Sequence, residues 1–185
     1  ILTQVCHAIE LAHARGIVHR DLKPQIVMIG RFGEVYVVDW GLAVSLRTAT
    51  WLPRASDVLE IEGTPAYLAP EMLMPTEAEI GVASDIYLLG GLLHVVLTGE
   101  APFRGADVDS RLAASRAMPT GRLAASPALL AEICRKALAS GPDQRIVSAA
   151  AFREALDQAL ERLASLDVTR VAAERLAALE ACDDV

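Results

Sequence analysis

An aspartate two positions before a lysine, in His19-Arg20-Asp21-Leu22-Lys23-Pro24, is the arrangement in this chain with the plainest chemical use. Such a carboxylate can orient and deprotonate a hydroxyl, while the ammonium beside it neutralises a phosphoryl group in transfer. A second carboxylate, Asp39 in Asp39-Trp40-Gly41, follows 18 residues after Asp21. At the end of a strand it suits a Mg²⁺ ion that bridges nucleotide phosphates, and Gly41 lets the backbone turn sharply beyond it. Each motif alone is weak, since an exposed His-Arg-Asp triplet is also an ordinary ion-pair cluster. Three further groups add to them in order: Gly63-Thr64-Pro65-Ala66-Tyr67-Leu68-Ala69-Pro70-Glu71, then Ser84-Asp85, then Arg145 in Gly-Pro-Asp-Gln-Arg.

The elements that must position these residues follow from periodicity. Leu2, Val5, Ile9 and Ala12 share one face of a helix over residues 1–15, which Gly16 stops. Two β-branched runs, Ile26–Ile29 and Val35–Asp39, flank Gly30-Arg31-Phe32-Gly33 and read as a hairpin. From Gly41 to Ala69 no period is sustained, and a loop that long inside a compact domain is usually functional. The rest is helical: a core helix from about Ser84 to Leu97, another over 107–118, and a third opened by Ser126-Pro127. A fourth follows Ser148 with Phe152, Leu156, Leu160 and Leu163 on one stripe. A separate last helix covers 167–181. His7, His13 and His94 fall on apolar helical segments and read as packing residues.

Bulk composition limits the function classes. The 185 residues are 53% hydrophobic, enough for a packed core, and carry a net charge of −7, so no global field recruits nucleic acid or anionic lipid. Cys6, Cys134 and Cys182 lie far apart, which suits a reducing cytoplasm and argues against a disulfide framework or a zinc site. The most apolar stretch, Ile86–Thr98, is shorter than the roughly 20 residues a membrane span needs. No signal peptide is visible, and a start at Ile1 without methionine favours truncation of a longer protein.

Taken in this order and spacing, HRDLKP, DWG, APE, SDIYLLG and the late arginine resemble the eukaryotic-type protein kinases of bacteria, over residues 1–163. The resemblance implies a mainly α fold with a small β-hairpin, the C-terminal lobe of a protein kinase (an α+β superfamily), without its N-terminal lobe. It implies a catalytic loop at 19–26, an activation segment at 39–71 and a linker helix at 164–185. Asp21 is then the catalytic base, Lys23 the phosphate-contacting lysine, and Thr64 the residue that joins them and favours serine or threonine acceptors. Asp39 holds Mg²⁺ and, with Lys23, the ATP phosphates. His19, Arg20, Trp40, Gly41, Glu71, Asp85 and Arg145 are structural, with Glu71 and Arg145 as a buried ion pair. Thr48, Thr50 and Ser56 are candidate phosphorylation sites, with Arg20, Arg47 or Arg54 to receive the phosphate. ATP and Mg²⁺ are the implied cofactors. The implied partners are a protein substrate, an upstream small lobe and downstream helical repeats, with no nucleic acid and no membrane.

Two departures qualify the resemblance. Where the family has a metal-binding asparagine, five residues after Asp21, this chain has Ile26, which offers a metal no lone pair. Gln25 is a poor substitute, because neighbours on an extended strand face opposite ways. The glycine-rich loop and lysine of the small lobe are also missing: Lys23 belongs to the catalytic loop and Lys136 to a late helix, and the chain has no third lysine. Three readings follow: a fragment of a serine/threonine kinase, a pseudokinase that survives as a binding or scaffolding module, and a purely structural lobe. An exposed apolar face is expected near Ile1–Val5, Val27 and Trp40, where a small lobe would sit.

Overall fold

The first helix, α1 (Leu2–Ala14), buries Val5, Cys6, Ile9 and Ala12, the face its spacing predicts. It ends through Arg15 at Gly16, whose φ of +73° only glycine adopts without strain. The computed structural model describes residues 1–48, 51–74, 79–103, 108–113 and 123–183. Thr50 and half of the helix expected over 107–118 lie outside them; Val108–Ala113 is helical (α3).

After α1 the chain forms β1 (Ile17–Val18), which pairs antiparallel with β4 (Val44–Ser45), Ile17 opposite Ser45 and Val18 opposite Val44. Two-residue strands carry too little pattern to be read from sequence, and this ladder was not anticipated. The expected hairpin is present as β2 (Val27–Ile29) and β3 (Val35–Val37), with Val27 opposite Val37. Ile26, however, is not on the strand. It closes a single 3₁₀ turn, Pro24–Ile26, opened by proline, and its side chain is buried while Gln25 is exposed. Gln25 therefore fails to replace an asparagine because of the turn, not because of strand alternation.

The centre of the core is α2 (Val82–Thr98), in which every residue from Ser84 to His94 is buried. A helix apolar on all sides belongs inside a protein, which accounts for the Ile86–Thr98 run. Among the described residues no helix is long and apolar enough to cross a membrane. α2 packs on α4 (Ala128–Ala137) through Gly90, where an added Cβ would lie 2.7 Å from that of Ala137. Ser126 does not cap α4; Pro127 stands at the cap position. Ser148 does cap the next helix, its Oγ accepting the Ala151 N–H at 3.1 Å.

That helix, α5 (Ala149–Asp183), is continuous over 35 residues, where two helices were expected. No glycine or proline interrupts it, so nothing in the backbone stops propagation. Its buried stripe is Ala149, Phe152, Leu156 and Ala159, packed on α1 and α4, while Leu160 is half exposed. Residues 164–169 are exposed as the helix leaves the core.

The expected apolar face is there in part: Ile1, Leu2, Val5, Val27 and Val96 line a groove of about 400 Å³. Trp40 is not in it; it lines a second cavity with Leu11, Ile17 and Trp51. The α2–α4 contact gives a direct test. Gly90→Ala overpacks the interface and is expected to cost about 1–3 kcal/mol in urea unfolding; an unchanged midpoint would mean that the helices part easily.

Candidate active site

The site starts from a bend that the backbone resists. Arg20 has φ of +74°, a left-handed conformation unfavourable for a side chain longer than asparagine. Asp85, in the first turn of α2 and fully buried, holds it: Oδ2 accepts the His19 N–H at 2.8 Å and Oδ1 the Arg20 N–H at 2.9 Å. His13 of α1 completes the set, its Nε2 lying 2.9 Å from Asp85 Oδ2. His13 is therefore a polar brace rather than packing, and His7 is exposed. The spacing of His13 gave no sign of this, because its partner is 72 residues away.

The bend sends the two neighbouring side chains to different elements. His19 is buried, and its Nε2 reaches the Val38 carbonyl at 3.3 Å while its Nδ1 accepts the Asp21 N–H at 3.3 Å. One neutral tautomer, protonated at Nε2, satisfies both contacts. Burial lowers the His19 pKa, opposed by the nearby carboxylates Asp85, Asp21 and Asp39. Trp40 packs against the ring with centroids 4.4 Å apart and donates from Nε1 to the Val37 carbonyl at 2.9 Å. Arg20 points the other way, donating to the Leu42 carbonyl at 3.2 Å and to Glu62 Oε2 at 3.1 Å. It is thus already paired, as is Arg47, which donates to the Ala14 carbonyl at 2.8 Å.

With the loop fixed, Asp21, Lys23 and Thr64 meet. Lys23 Nζ donates to Asp21 Oδ2 at 2.5 Å and to Thr64 Oγ1 at 2.8 Å. Asp21 Oδ1 accepts both the Thr64 N–H at 3.1 Å and the Thr64 hydroxyl at 2.8 Å. A carboxylate has about four lone-pair sites, so Oδ2 is the oxygen left with capacity for another proton donor. This is an acid–ammonium pair with a free acceptor position, suited to taking a proton from an alcohol beside a negatively charged group.

Asp39 lies two residues beyond β3, where the strand expected to run to it has already ended, with φ of +59° and an exposed side chain. Its Oδ1 lies only 3.3 Å from where a Cβ on Gly41 would be, so glycine there keeps space around the carboxylate. One such carboxylate fits a Mg²⁺ ion that takes its other ligands from phosphates and water. Among the described residues no three His, Cys, Asp or Glu side chains converge to hold a metal unaided. Ile26 adds no donor atom, so a second ion finds no ligand there.

Below the site, Glu71 and Arg145 form the expected buried pair: Nη1 to Oε1 at 2.7 Å and Nη2 to Oε2 at 2.8 Å. The remaining Arg145 donors go to the carbonyls of Ala139, Ala83 and Ser140, and its guanidinium lies 4.8 Å from the centre of the Tyr87 ring. Ser84 Oγ adds a bond to Glu71 Oε1 at 2.8 Å, tying the pair to the turn that carries Asp85. Of the hydroxyls singled out in the long segment, Thr48 and Ser56 are exposed, and Ser56 donates to Asp57 at 2.9 Å.

Residues 1–170 match the protein kinase domain family. The chain is 37% identical over 188 residues to the serine/threonine-protein kinase Pkn1 of Myxococcus xanthus, covering 97% of this chain and 26% of that protein. It is 33% identical over 177 residues to the serine/threonine-protein kinase PknD of Chlamydia felis, covering 87% of this chain and 19% of the relative. PknD of Chlamydia muridarum is 34% identical over 186 residues, with the same coverage of 87% and 19%. The chain thus spans about a fifth to a quarter of the length of these bacterial relatives.

The buried neutral His19 makes stability depend on pH. Its pKa is lowered in the fold from 6.5, so below that value the unfolded chain binds the extra proton and unfolding is favoured. The urea midpoint is expected to fall between about pH 7.5 and about pH 5.5, and to fall less in His19→Gln. Equal slopes for the two proteins would remove His19 as the cause.

Proposed function

The chain belongs to the protein kinase family, and we propose that it is the C-terminal lobe of a serine/threonine kinase catalytic domain. Residues 1–163 form the lobe, with a catalytic loop at 19–26 and an activation segment at 39–71, and 164–185 begin a linker helix. A small lobe elsewhere in the protein supplies the other wall of the nucleotide cleft. The reaction is transfer of the γ-phosphate of ATP to a serine or threonine hydroxyl of a protein substrate. The Asp21–Lys23–Thr64 triangle carries this reading.

In it, Asp21 takes the proton of the acceptor hydroxyl on Oδ2, the oxygen with an unused lone pair. Lys23 spans Asp21 and Thr64, so its charge is held where the transferring phosphoryl group would gain negative charge. Thr64 fixes Asp21 through two bonds to Oδ1 and leaves Oδ2 turned to the acceptor. Asp39 would hold Mg²⁺ against the nucleotide phosphates, where the ion supplies charge neutralisation. His19, Trp40 and Gly41 hold Asp39 in place, and Asp85, Glu71 and Arg145 hold the loops.

The alternative, a pseudokinase that serves as a binding or scaffolding module, is favoured by Ile26. Its side chain is 3% exposed among apolar neighbours, so the position normally given to a metal ligand is part of the core. The two readings part on one substitution in the full-length protein. Ile26→Asn is expected to raise phosphorylation of a generic serine/threonine substrate at least about tenfold, and Asp21→Asn to abolish what activity there is. Absence of Asp21-dependent transfer in both wild type and Ile26→Asn would leave the binding module.

A further inference from the structure

The Arg20 guanidinium joins the catalytic loop to the long segment, and its partner is already in the sequence. The residue is 2% exposed; Nη1 donates to the Leu42 carbonyl at 3.2 Å and Nη2 to Glu62 Oε2 at 3.1 Å. Its Nε has no protein partner, so Glu62 is the one carboxylate paired with this buried charge among the described residues. Two residues on, Thr64 donates both its backbone N–H and its hydroxyl to Asp21 Oδ1. The residue between them, Gly63, has φ of +119°, and a Cβ there would lie 2.8 Å from Leu68 and 3.5 Å from the Arg20 carbonyl. The strip Glu62-Gly63-Thr64 therefore lies close over Arg20-Asp21, with an ion pair at one end and the Asp21 contacts at the other.

We propose that Glu62 is a positioning residue: by pairing with Arg20 it seats Thr64 on Asp21, with no need of a phosphate on the segment. The proposal rests on the phosphoryl-transfer reading and names how that site is held ready. A phosphate competing for Arg20 meets an unfavourable approach. The cavity of about 380 Å³ that Arg20 lines is also bordered by Asp57, Glu60 and Glu62. Three carboxylates around one cation oppose entry of a dianion. Arg47 is engaged at Ala14, and a phosphate on Ser56 would stand beside Asp57.

The pairing also has an energetic logic. Glu62 itself is partly exposed, its side chain at 44%, so as a surface pair it adds little to stability. Removing it leaves Arg20 buried without a counter-charge, and the cheapest relief is for the strip to lift and admit water. Thr64 would move with it, and a displacement near 1 Å at reacting groups costs up to about 10²-fold in rate.

The experiment uses the full-length protein, treated with phosphatase and shown by mass to be unphosphorylated. The wild type is expected to keep its transfer rate after phosphatase treatment. Glu62→Ala should lower kcat about tenfold or more with little change in the KM for ATP, and the isosteric Glu62→Gln should recover part of the loss. Hydrogen exchange supplies a readout independent of turnover: protection of the Thr64 amide should drop in Glu62→Ala and return in part in Glu62→Gln. Wild-type protection of Thr64 in Glu62→Ala would overturn the proposal, as would loss of activity on phosphatase treatment. If neither the wild type nor Ile26→Asn transfers phosphate, the kinase reading fails, while the exchange measurement still decides the role of Glu62.

Discussion

One buried carboxylate sets the geometry on which the site depends. Asp85 accepts two consecutive backbone N–H groups, of His19 and Arg20, at 2.8 and 2.9 Å. Two adjacent amides can point at one carboxylate only if the chain bends, and Arg20 at φ +74° is that bend. A non-glycine residue there costs of order 1–3 kcal/mol and persists only where its surroundings hold it. The location of Asp85 in the first turn of α2 helps, because the free N–H groups of a helix start favour a negative charge. His13 adds a third donor from α1, so the bend is held from two helices at once.

The same helix turn anchors the other end of the long segment. Ser84, next to Asp85, donates to Glu71, and Glu71 pairs with Arg145, all of whose donors are used. A buried ion pair contributes less to net stability than its length suggests, because desolvation offsets attraction. Its effect here is positional. The loop that carries Asp21 and the segment that ends at Glu71 are referred to one rigid turn of α2, so Thr64 arrives at Asp21 from a fixed origin.

Much of this was legible in the sequence because it is local. The α1 face, the Gly16 stop, the hairpin and the start of α5 at Ser148 each follow from spacing over a few residues. Glu71, Arg145 and Asp85 were singled out by the family resemblance and not by spacing. What escaped depends on distant partners. His13 reads as one more residue on an apolar helix, and nothing in the sequence singles out Glu62. Neither spacing nor composition says that each meets a specific group 72 or 42 residues away. The β1–β4 ladder is too short for any period to show. The single α5 was misread because a change from buried to exposed residues looks like an end of helix, although only glycine, proline or a cap would end it.

Ile26 bears on one half of the site and leaves the other alone. None of the bonds among Asp21, Lys23 and Thr64 involves it, and its backbone still does structural work: its carbonyl accepts the Val38 N–H at 3.0 Å, tying the hairpin to the loop that carries Asp39. Its apolar side chain is satisfied in the core, so nothing in the loop is strained by its presence. A side chain without a metal donor therefore stands at position 26 without disordering its neighbours. In the proposed kinase, the cost falls on holding the metal and nucleotide, while the groups that would receive a protein hydroxyl stay arranged. A binding module derived from the same fold would keep that arrangement too, which is why an ordered Asp21–Lys23–Thr64 triangle accompanies both readings and only the chemistry at position 26 separates them.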